Sequence, residues 1–205
     1  AMSSKYLRQP FDIHAGGVDL IFPHHENEIA QSQAATGKQF VRYWLHGEHL
    51  LVDSAKMSKS LGNTYTLRDI EEKGFSPIDF RYLILGAHYR TKLNFTWESL
   101  KGAQQAYREL VAFTKELIAE KSAAQNNTTT LYAPHEKKFF AAIADDLNTP
   151  KALAALWQFI RAYHKAKTTY SNAAHALLLT YDTVLGLGLA GVTISKIPPA
   201  IQQLA

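Results

Sequence analysis

The stretch HLLVDSAKMSKSLGN, residues 49–63, runs from an apolar segment into a short polar loop. The overlapping part EHLLVD (48–53) predicts a strand, and Gly62-Asn63 is a turn pair that closes the loop. The loop contains Lys56 and Lys59. Lysines between two ordered elements can reach a polyphosphate and stabilise the charge that develops during phosphoryl or nucleotidyl transfer. For a generic pair of lysines at this spacing, a solvated loop is the alternative.

The residues around this loop, from 11 to about 95, mix short apolar runs with glycine turns and short helical patterns, which predicts α/β organisation. FDIH (11–14) predicts a short buried strand that ends in a double glycine. Pro23 stands at a helix start, and Gly37 is the expected stop of that helix. FVRYWLH (40–46) and the strand at 48–53 are expected to form a pair.

Helical patterns dominate from Pro77 onward, so the chain as a whole is predicted to be α/β followed by all-α. The polar segment SAAQNNTTT (122–130) is the best candidate for a linker. Thr149 is the expected N-cap of a helix with Pro150 in its first turn. The predicted helices begin at Pro77 and cover 97–121, 134–146, 149–168 and 171–186.

Composition places the chain among ordinary globular proteins. It has 205 residues, of which 46% are hydrophobic and 20% charged. The absence of cysteine excludes a disulfide framework and a thiolate metal site built from this chain alone. No run approaches the roughly 18 apolar residues of a membrane span, and the first residues lack a signal-peptide pattern, so we expect a cytoplasmic protein without a membrane partner. The net charge of +4 is compatible with a polyanionic partner but does not demand one.

Two further patterns carry candidate chemistry. In PHHENE (23–28), His24 and Glu28 are four residues apart on the predicted helix, and imidazole nitrogen and carboxylate oxygen are both zinc ligands. In HAGGVD (14–19), a double glycine that includes Gly17 allows a ligand close to the backbone, and Asp19 could bond a ribose hydroxyl. Taken alone, each pattern is more often ordinary structure, namely a polar helix start in the first case and a surface turn in the second.

The loop sequence Lys56-Met57-Ser58-Lys59-Ser60 resembles the complete five-residue signature of the class I aminoacyl-tRNA synthetases. FDIHAGGVDLIFPHHENEIAQS (11–32), taken together with 49–63, resembles the cysteinyl-tRNA synthetases, and DDLNTP (145–150) resembles the start of their helical anticodon-binding region. The resemblance covers about residues 1 to 187. It implies ATP-dependent activation of cysteine to cysteinyl-adenylate and transfer to tRNA(Cys), with tRNA(Cys), cysteine and ATP as partners.

The resemblance also implies a role for each candidate residue. His24 and Glu28 match two zinc ligands, and in the family this zinc binds the thiolate of the substrate cysteine, a soft ligand that serine cannot imitate. His14 matches a histidine that lines the amino-acid pocket.

For ATP, which is used with magnesium, Gly17 and Asp19 match positions at the adenosine site. Lys59 matches the catalytic residue most directly tied to ATP, and Lys56 is expected to assist on the phosphates.

The implied domains follow the same resemblance. Residues 1–65 correspond to part of a Rossmann-like catalytic domain with the zinc-ligand helix and the lysine loop. Residues 66–121 correspond to a stem-contact region, 122–133 to a linker, and 134–205 to a helical anticodon-binding bundle. Because the family also uses an N-terminal half-domain and two zinc-binding cysteines, we expect a fragment that is inactive alone and binds zinc weakly.

Two other functions remain open. A tRNA-binding module without activation would use the basic residues of the helices, whose alternative is a solvated helix face. The related ligase that couples cysteine to an amino sugar shares the zinc and lysine motifs, but the helical bundle makes it less favoured. The protein is expected to be a monomer. The basic residues concerned are Lys137, Lys138, Lys151, Arg161, Lys165 and Lys167.

Overall fold

The computed structural model of the protein describes residues 2–120, 132–166 and 171–194. An α/β segment is followed by helices, which confirms the predicted fold class. The chain forms two compact units. The first, unit 1, comprises Ala1–Thr64 and Ala87–Thr96, and the second, unit 2, comprises Tyr65–Gly86 and Trp97–Ala205.

Unit 1 contains two small sheets. In the first, β1 and β2 pair in parallel, with Phe11 opposite Val41 and Gly17 opposite Gly47. In the second, β3 lies between antiparallel β4 and parallel β5. The elements of unit 1 are α1 (Met2–Leu7), β1 (Phe11–Gly17), a 3₁₀ turn (Val18–Leu20), a π-helical turn (Ile21–His25), α2 (Glu26–Thr36), β2 (Val41–Gly47), β3 (Leu50–Val52), β4 (Ala55–Lys56), a second 3₁₀ turn (Lys59–Leu61) and β5 (Leu93–Phe95).

The expected pairing of the strands at 40–46 and 48–53 is therefore wrong, although both strands exist. Phe40 and Val41 bury against Phe11, which draws β2 to β1. Val52 is 1% exposed and pairs with the buried Phe95, which draws β3 to β5. Burial of these side chains thus assigns consecutive strands to different sheets. The strand at 11–14 is also less buried than predicted, since only Phe11 is fully covered.

Unit 2 consists of helices whose positions confirm the sequence prediction. The last predicted residues of two helices, 121 in one and 167 and 168 in the other, lie outside the described part of the chain. The cap of the helix near residue 149 differs: Asn148, not Thr149, is the N-cap, because its Oδ1 accepts a hydrogen bond from the Lys151 N–H at 3.2 Å. The helices of unit 2 are α3 (Leu67–Glu72), α4 (Pro77–Leu85), α5 (Trp97–Glu120), α6 (Ala133–Ala144), α7 (Thr149–Lys165) and α8 (Ser171–Leu185).

One hydrophobic core runs through unit 2. The apolar stripe of α5 contributes Leu110, Phe113 and Leu117 to the same buried cluster as Leu156 and Phe159 of α7, and the rings of Phe113 and Phe159 are in edge contact. The segments 65–86 and 97–120 thus share a core with the later helices. Residues 122–131 of the predicted linker lie outside the described residues. The domain boundaries drawn from the resemblance stay a prediction.

The aromatic residues on these helices have structural partners. Trp157 Nε1 donates to Tyr82 Oη at 2.8 Å, and Tyr107 Oη donates to the Leu187 carbonyl at 3.0 Å. Within the described ranges, no helix is long and apolar enough to span a membrane.

Replacement of Leu156 by alanine should lower the free energy of unfolding of unit 2 by about 2–5 kcal/mol, because this fully buried side chain leaves a cavity. Leu67→Ala removes a side chain that is 52% exposed. This replacement should change the free energy of unfolding by less than about 0.5 kcal/mol. Urea unfolding followed by far-ultraviolet circular dichroism measures both. Equal losses in the two variants would contradict the assignment of this core.

Candidate functional site

The lysine loop follows a tight turn between β3 and β4. Asp53 and Ser54 both have positive φ angles, 48° and 66°, as a two-residue hairpin turn requires. The turn is held to β5, since the Asp53 N–H donates to the Phe95 carbonyl at 3.0 Å and the Ser54 N–H to Asn94 Oδ1 at 2.7 Å. This anchoring fixes the point at which Lys56, the last residue of β4, enters the loop.

Asn63 closes the loop from the other side. Its Oδ1 accepts from the Ser58 N–H at 2.8 Å, and its Nδ2 donates to the Lys56 carbonyl at 3.1 Å. Ser58 caps the following 3₁₀ turn by accepting from the Leu61 N–H at 3.3 Å. The backbone is therefore bonded within the loop while the side chains of Lys56 and Lys59 are exposed to solvent. The two ammonium groups are therefore accessible to solvent on a loop whose backbone is held by hydrogen bonds.

The second candidate region lies at the carboxyl ends of β1 and β2. Ligands of parallel sheets bind at such ends. Gly17 is the last residue of β1, and Asp19 follows in the 3₁₀ turn. A Cβ at Gly17 would lie 2.3 Å from Asp19 Oδ1, so the carboxylate folds back over the glycine backbone. The structure thus brings these two predicted residues together.

A cluster of imidazoles and one carboxylate lies between β1, β2 and the start of α2. His14 Nε2 and Glu28 Oε2 are hydrogen-bonded at 2.7 Å, and His25 Nδ1 and His46 Nε2 at 2.8 Å. Each of His14, His25 and Glu28 offers one candidate ligand atom, and these three atoms lie within 4.8 Å of one another. These three residues form what we call the histidine cluster.

The predicted pair of His24 and Glu28 is only partly reproduced. His24 Nε2 lies 4.0 Å from Glu28 Oε2, and its side chain is 60% exposed, so it stands at the rim of the histidine cluster. His25, which the sequence reasoning did not single out, is 3% exposed and lies inside the cluster. The reason is the π-helical turn: Phe22 has extended angles (φ −133°, ψ 134°), and the helix that follows directs consecutive histidines to different sides.

The backbone of β1 makes room for His25. A Cβ at Gly16 would lie 2.7 Å from Cε1 and 3.1 Å from Nε2 of this ring. The ring also contacts Trp44, at a centroid distance of 4.7 Å. Burial, together with the neighbouring His14 and His46, lowers the pKa of His25. The lowered pKa favours the neutral form of the ring, which is the form that ligates a metal.

The histidine cluster fits a zinc ion in the chemistry of its donors. Imidazole nitrogen and carboxylate oxygen are among the ligands that zinc takes in proteins. His25 adds a nitrogen donor to the predicted pair of His24 and Glu28, and His14 Nε2 is hydrogen-bonded to the Glu28 carboxylate at 2.7 Å.

The fold is that of a class I aminoacyl-tRNA synthetase. A solved leucyl-tRNA synthetase from Agrobacterium radiobacter K84, in a ternary complex with tRNA and LeuAMS, matches with a TM-score of 0.69 at 16% sequence identity. The match covers 93% of this chain and 28% of that one. Residues 1–105 match the family described as tRNA synthetases class I (C) catalytic domain, and 138–190 match the DALR domain. The chain belongs to the cysteine–tRNA ligase family of class I synthetases.

Named relatives agree with this assignment. Cysteine–tRNA ligase of Opitutus terrae is 52% identical over 210 residues, which cover 100% of this chain and 42% of that protein. The ligase of Chlamydia felis is 46% identical over 212 residues, covering 99% of this chain and 44% of that protein. The chain thus spans less than half of the length of these relatives.

Gly16→Ala should destabilise unit 1 by about 1–3 kcal/mol, because the new methyl group overlaps a buried ring that hydrogen bonding holds in place. Gly47→Ala is the matched control on β2, where the nearest atom to a new Cβ is 4.0 Å away. Urea unfolding gives the free energies, and NMR of the imidazole signals reports the cluster. Unchanged His25 and His46 signals in Gly16→Ala would contradict the close approach.

Proposed function

We propose that the chain takes part in the ATP-dependent activation of cysteine and its transfer to tRNA(Cys). The observation that carries this proposal is the presence, in one compact unit of a class I synthetase fold, of the Asn63-closed lysine loop and the histidine cluster. The names of the relatives supply the amino acid. Since the chain spans less than half of their length, the reaction is proposed for the protein together with the remainder of the catalytic fold.

The lysine loop is proposed to act on ATP, used with magnesium. The ammonium groups of Lys59 and Lys56 would neutralise charge on the phosphates as the α-phosphate is transferred to the carboxylate of the amino acid and pyrophosphate leaves. Their exposure and the fixed loop backbone support this role. Gly17 and Asp19 would hold the adenosine, the glycine by close approach and the carboxylate by bonding a ribose hydroxyl.

The histidine cluster is proposed as the amino-acid end of the site. His24, His25 and Glu28 would hold zinc, and His14 would line the pocket while its hydrogen bond orients Glu28. A bound zinc ion would supply a soft acceptor for a thiolate and so separate cysteine from serine. Gly16 and Trp44 lie against the His25 ring, which is 3% exposed.

A tRNA-binding function without activation is the second candidate. Exposed cations on α6 and α7 favour it, among them Lys137, Lys138, Lys151, Arg161 and Lys165, whereas Lys167 lies outside the described residues. The match of residues 138–190 to the DALR domain makes the amino-sugar ligase less favoured. A monomeric state and a cytoplasmic location remain part of the proposal.

Lys59→Ala should slow formation of cysteinyl-adenylate by about 10²–10³-fold, because a cation that meets the developing phosphate charge is lost. The measurement is single-turnover conversion of labelled ATP by the chain mixed with a polypeptide that covers the rest of the Opitutus terrae relative. Lys38→Ala removes an exposed lysine of the same unit outside the loop and should leave the rate unchanged. A rate for Lys59→Ala within threefold of the wild type would contradict the role of the loop.

Glu28→Gln should weaken zinc binding by roughly tenfold or more, since even groups that only hydrogen-bond to the ligands of a metal contribute that much. Glu26→Gln, on the exposed side of the same helix, is the control and should bind as the wild type does. Calorimetric titration of the folded chain with zinc measures the affinity without any catalytic readout. Equal affinities for the wild type and Glu28→Gln would overturn the ligand assignment.

A further inference from the structure

The turn that leads into the lysine loop has a backbone conformation that its own residues do not favour. Val52 and Ala55 are paired across β3 and β4, so Asp53 and Ser54 form a two-residue hairpin loop. Their φ angles, 48° and 66°, lie in a region that glycine adopts readily and that costs free energy for residues with a Cβ. Contacts from outside the turn are therefore needed to hold it in this conformation.

Asn94 of β5 supplies such contacts with both polar atoms of its side-chain amide. Its Oδ1 accepts a hydrogen bond from the Ser54 N–H at 2.7 Å, and its Nδ2 donates to Ser54 Oγ at 3.3 Å. The neighbouring Asp53 N–H donates to the Phe95 carbonyl at 3.0 Å. The contact at Phe95 is made by backbone and any residue could supply it, whereas both contacts to Ser54 require the amide of Asn94.

The strand that follows the turn is too short to define its own position. β4 consists of two residues, Ala55 and Lys56, and both are exposed. The carbonyl of Lys56 accepts a hydrogen bond from Asn63 Nδ2 at 3.1 Å. An asparagine side chain thus bonds the chain on each side of the lysine loop: Asn94 at the turn before Lys56, and Asn63 after the loop.

We propose that Asn94 is a positioning residue for the lysine loop. Its amide holds the β3–β4 turn in the conformation from which Lys56 and Lys59 reach the phosphates of ATP. Without the amide, the turn adopts other conformations and β4 unpairs from β3, so that fewer molecules have a loop able to act on ATP. The rate of adenylate formation falls with that fraction. Asn94 acts through Ser54 and does not touch the reacting atoms.

The alternative is an ordinary surface contact that only adds to folding stability. Ser54 and Asn94 are 40 residues apart in sequence, and both are exposed, so water can replace their hydrogen bonds in a variant. The free energy of unfolding should therefore change little when the amide is removed. The two roles differ in what they predict: a positioning role changes the lysine loop locally, and a glycine in the turn can replace it.

This inference deepens the proposed function and rests on it, since it takes the lysine loop to act on ATP. The order of the loop, however, can be measured in the chain alone by amide hydrogen exchange. Failure of the proposed activity and failure of the role of Asn94 are therefore separate results.

The first measurement is hydrogen exchange of the Ser58 N–H, whose acceptor, Asn63 Oδ1, is unchanged in every variant. Asn94→Ala should speed this exchange by about tenfold, because two hydrogen bonds contribute about that factor to the conformational equilibrium of the turn. Gln31→Ala removes an exposed amide from α2 of the same unit and should leave the exchange unchanged. Circular dichroism shows that each variant is folded.

The second measurement is rescue by glycine. Ser54→Gly places glycine at the φ of 66°, where it carries no steric cost, and creates an Asp-Gly pair that favours such turns. Added to Asn94→Ala, it should return the exchange of the Ser58 N–H to within about threefold of the wild type. A residue that only stabilises the fold would not be replaced in this way.

The third measurement is single-turnover formation of cysteinyl-adenylate at saturating ATP, in the mixture used for Lys59→Ala. Asn94→Ala should lower the rate about tenfold, and the variant that also carries Ser54→Gly should recover to within about threefold of the wild type. Ser54→Gly alone and Gln31→Ala should behave as the wild type does.

Faster exchange and a lower rate in Asn94→Ala, both reversed by Ser54→Gly, would support the proposal. Unchanged exchange of the Ser58 N–H in Asn94→Ala would overturn it, as would an unchanged rate or a rate that Ser54→Gly does not restore. A wild-type mixture that forms no adenylate would contradict the proposed function, and the exchange data would still decide whether Asn94 holds the loop.

Discussion

The candidate site depends on one close approach, that of the His25 ring to the backbone of Gly16. Without a side chain at this position, the ring can lie against β1 and reach His46 on β2 at 2.8 Å. This bond ties the start of α2 to the sheet, and the same helix carries Glu28 to His14. Two parallel strands alone are a marginal structure. The polar contacts at their surface therefore serve both to position donors and to hold α2 on the sheet.

The lysine loop differs from the histidine cluster in that its backbone, not its functional side chains, is held by hydrogen bonds. Its cations are exposed, and order comes from the backbone bonds that Asn63 and Ser58 make. A side-chain amide that bonds both ends of a loop limits its backbone conformations but does not engage the ammonium groups. The side chains of Lys56 and Lys59 are exposed to solvent, whereas hydrogen bonds hold the side chains of the histidine cluster in place. A site that selects one ligand atom by metal coordination requires donors in fixed positions. Lysine side chains that neutralise phosphate charge can do so while they remain mobile.

Local signals in the sequence predicted what is local in the structure. Pro77 and Gly37 marked helix ends correctly, and the capping box at Ser76 and Asp79 agrees with the helix start. The pairing of β2 could not be predicted this way, because it depends on burial of Phe40 and Val41 against a residue about thirty positions away. His25 was missed for a similar reason: helical spacing relates His24 to Glu28, but only the packing of α2 on β1 shows which histidine faces inward. The sequence motifs were sufficient to predict the family, whereas the relative positions of the site residues could be determined only from the structure.

The most direct test of this account is cysteine-dependent exchange of pyrophosphate into ATP, with serine as the comparison. The chain is assayed alone and mixed with a polypeptide that covers the rest of the Opitutus terrae relative. The account predicts exchange in the mixture with cysteine and none above background with serine. Exchange with both amino acids would contradict selection by the histidine cluster, and the absence of exchange in a mixture that forms a stable complex would contradict the proposed activity.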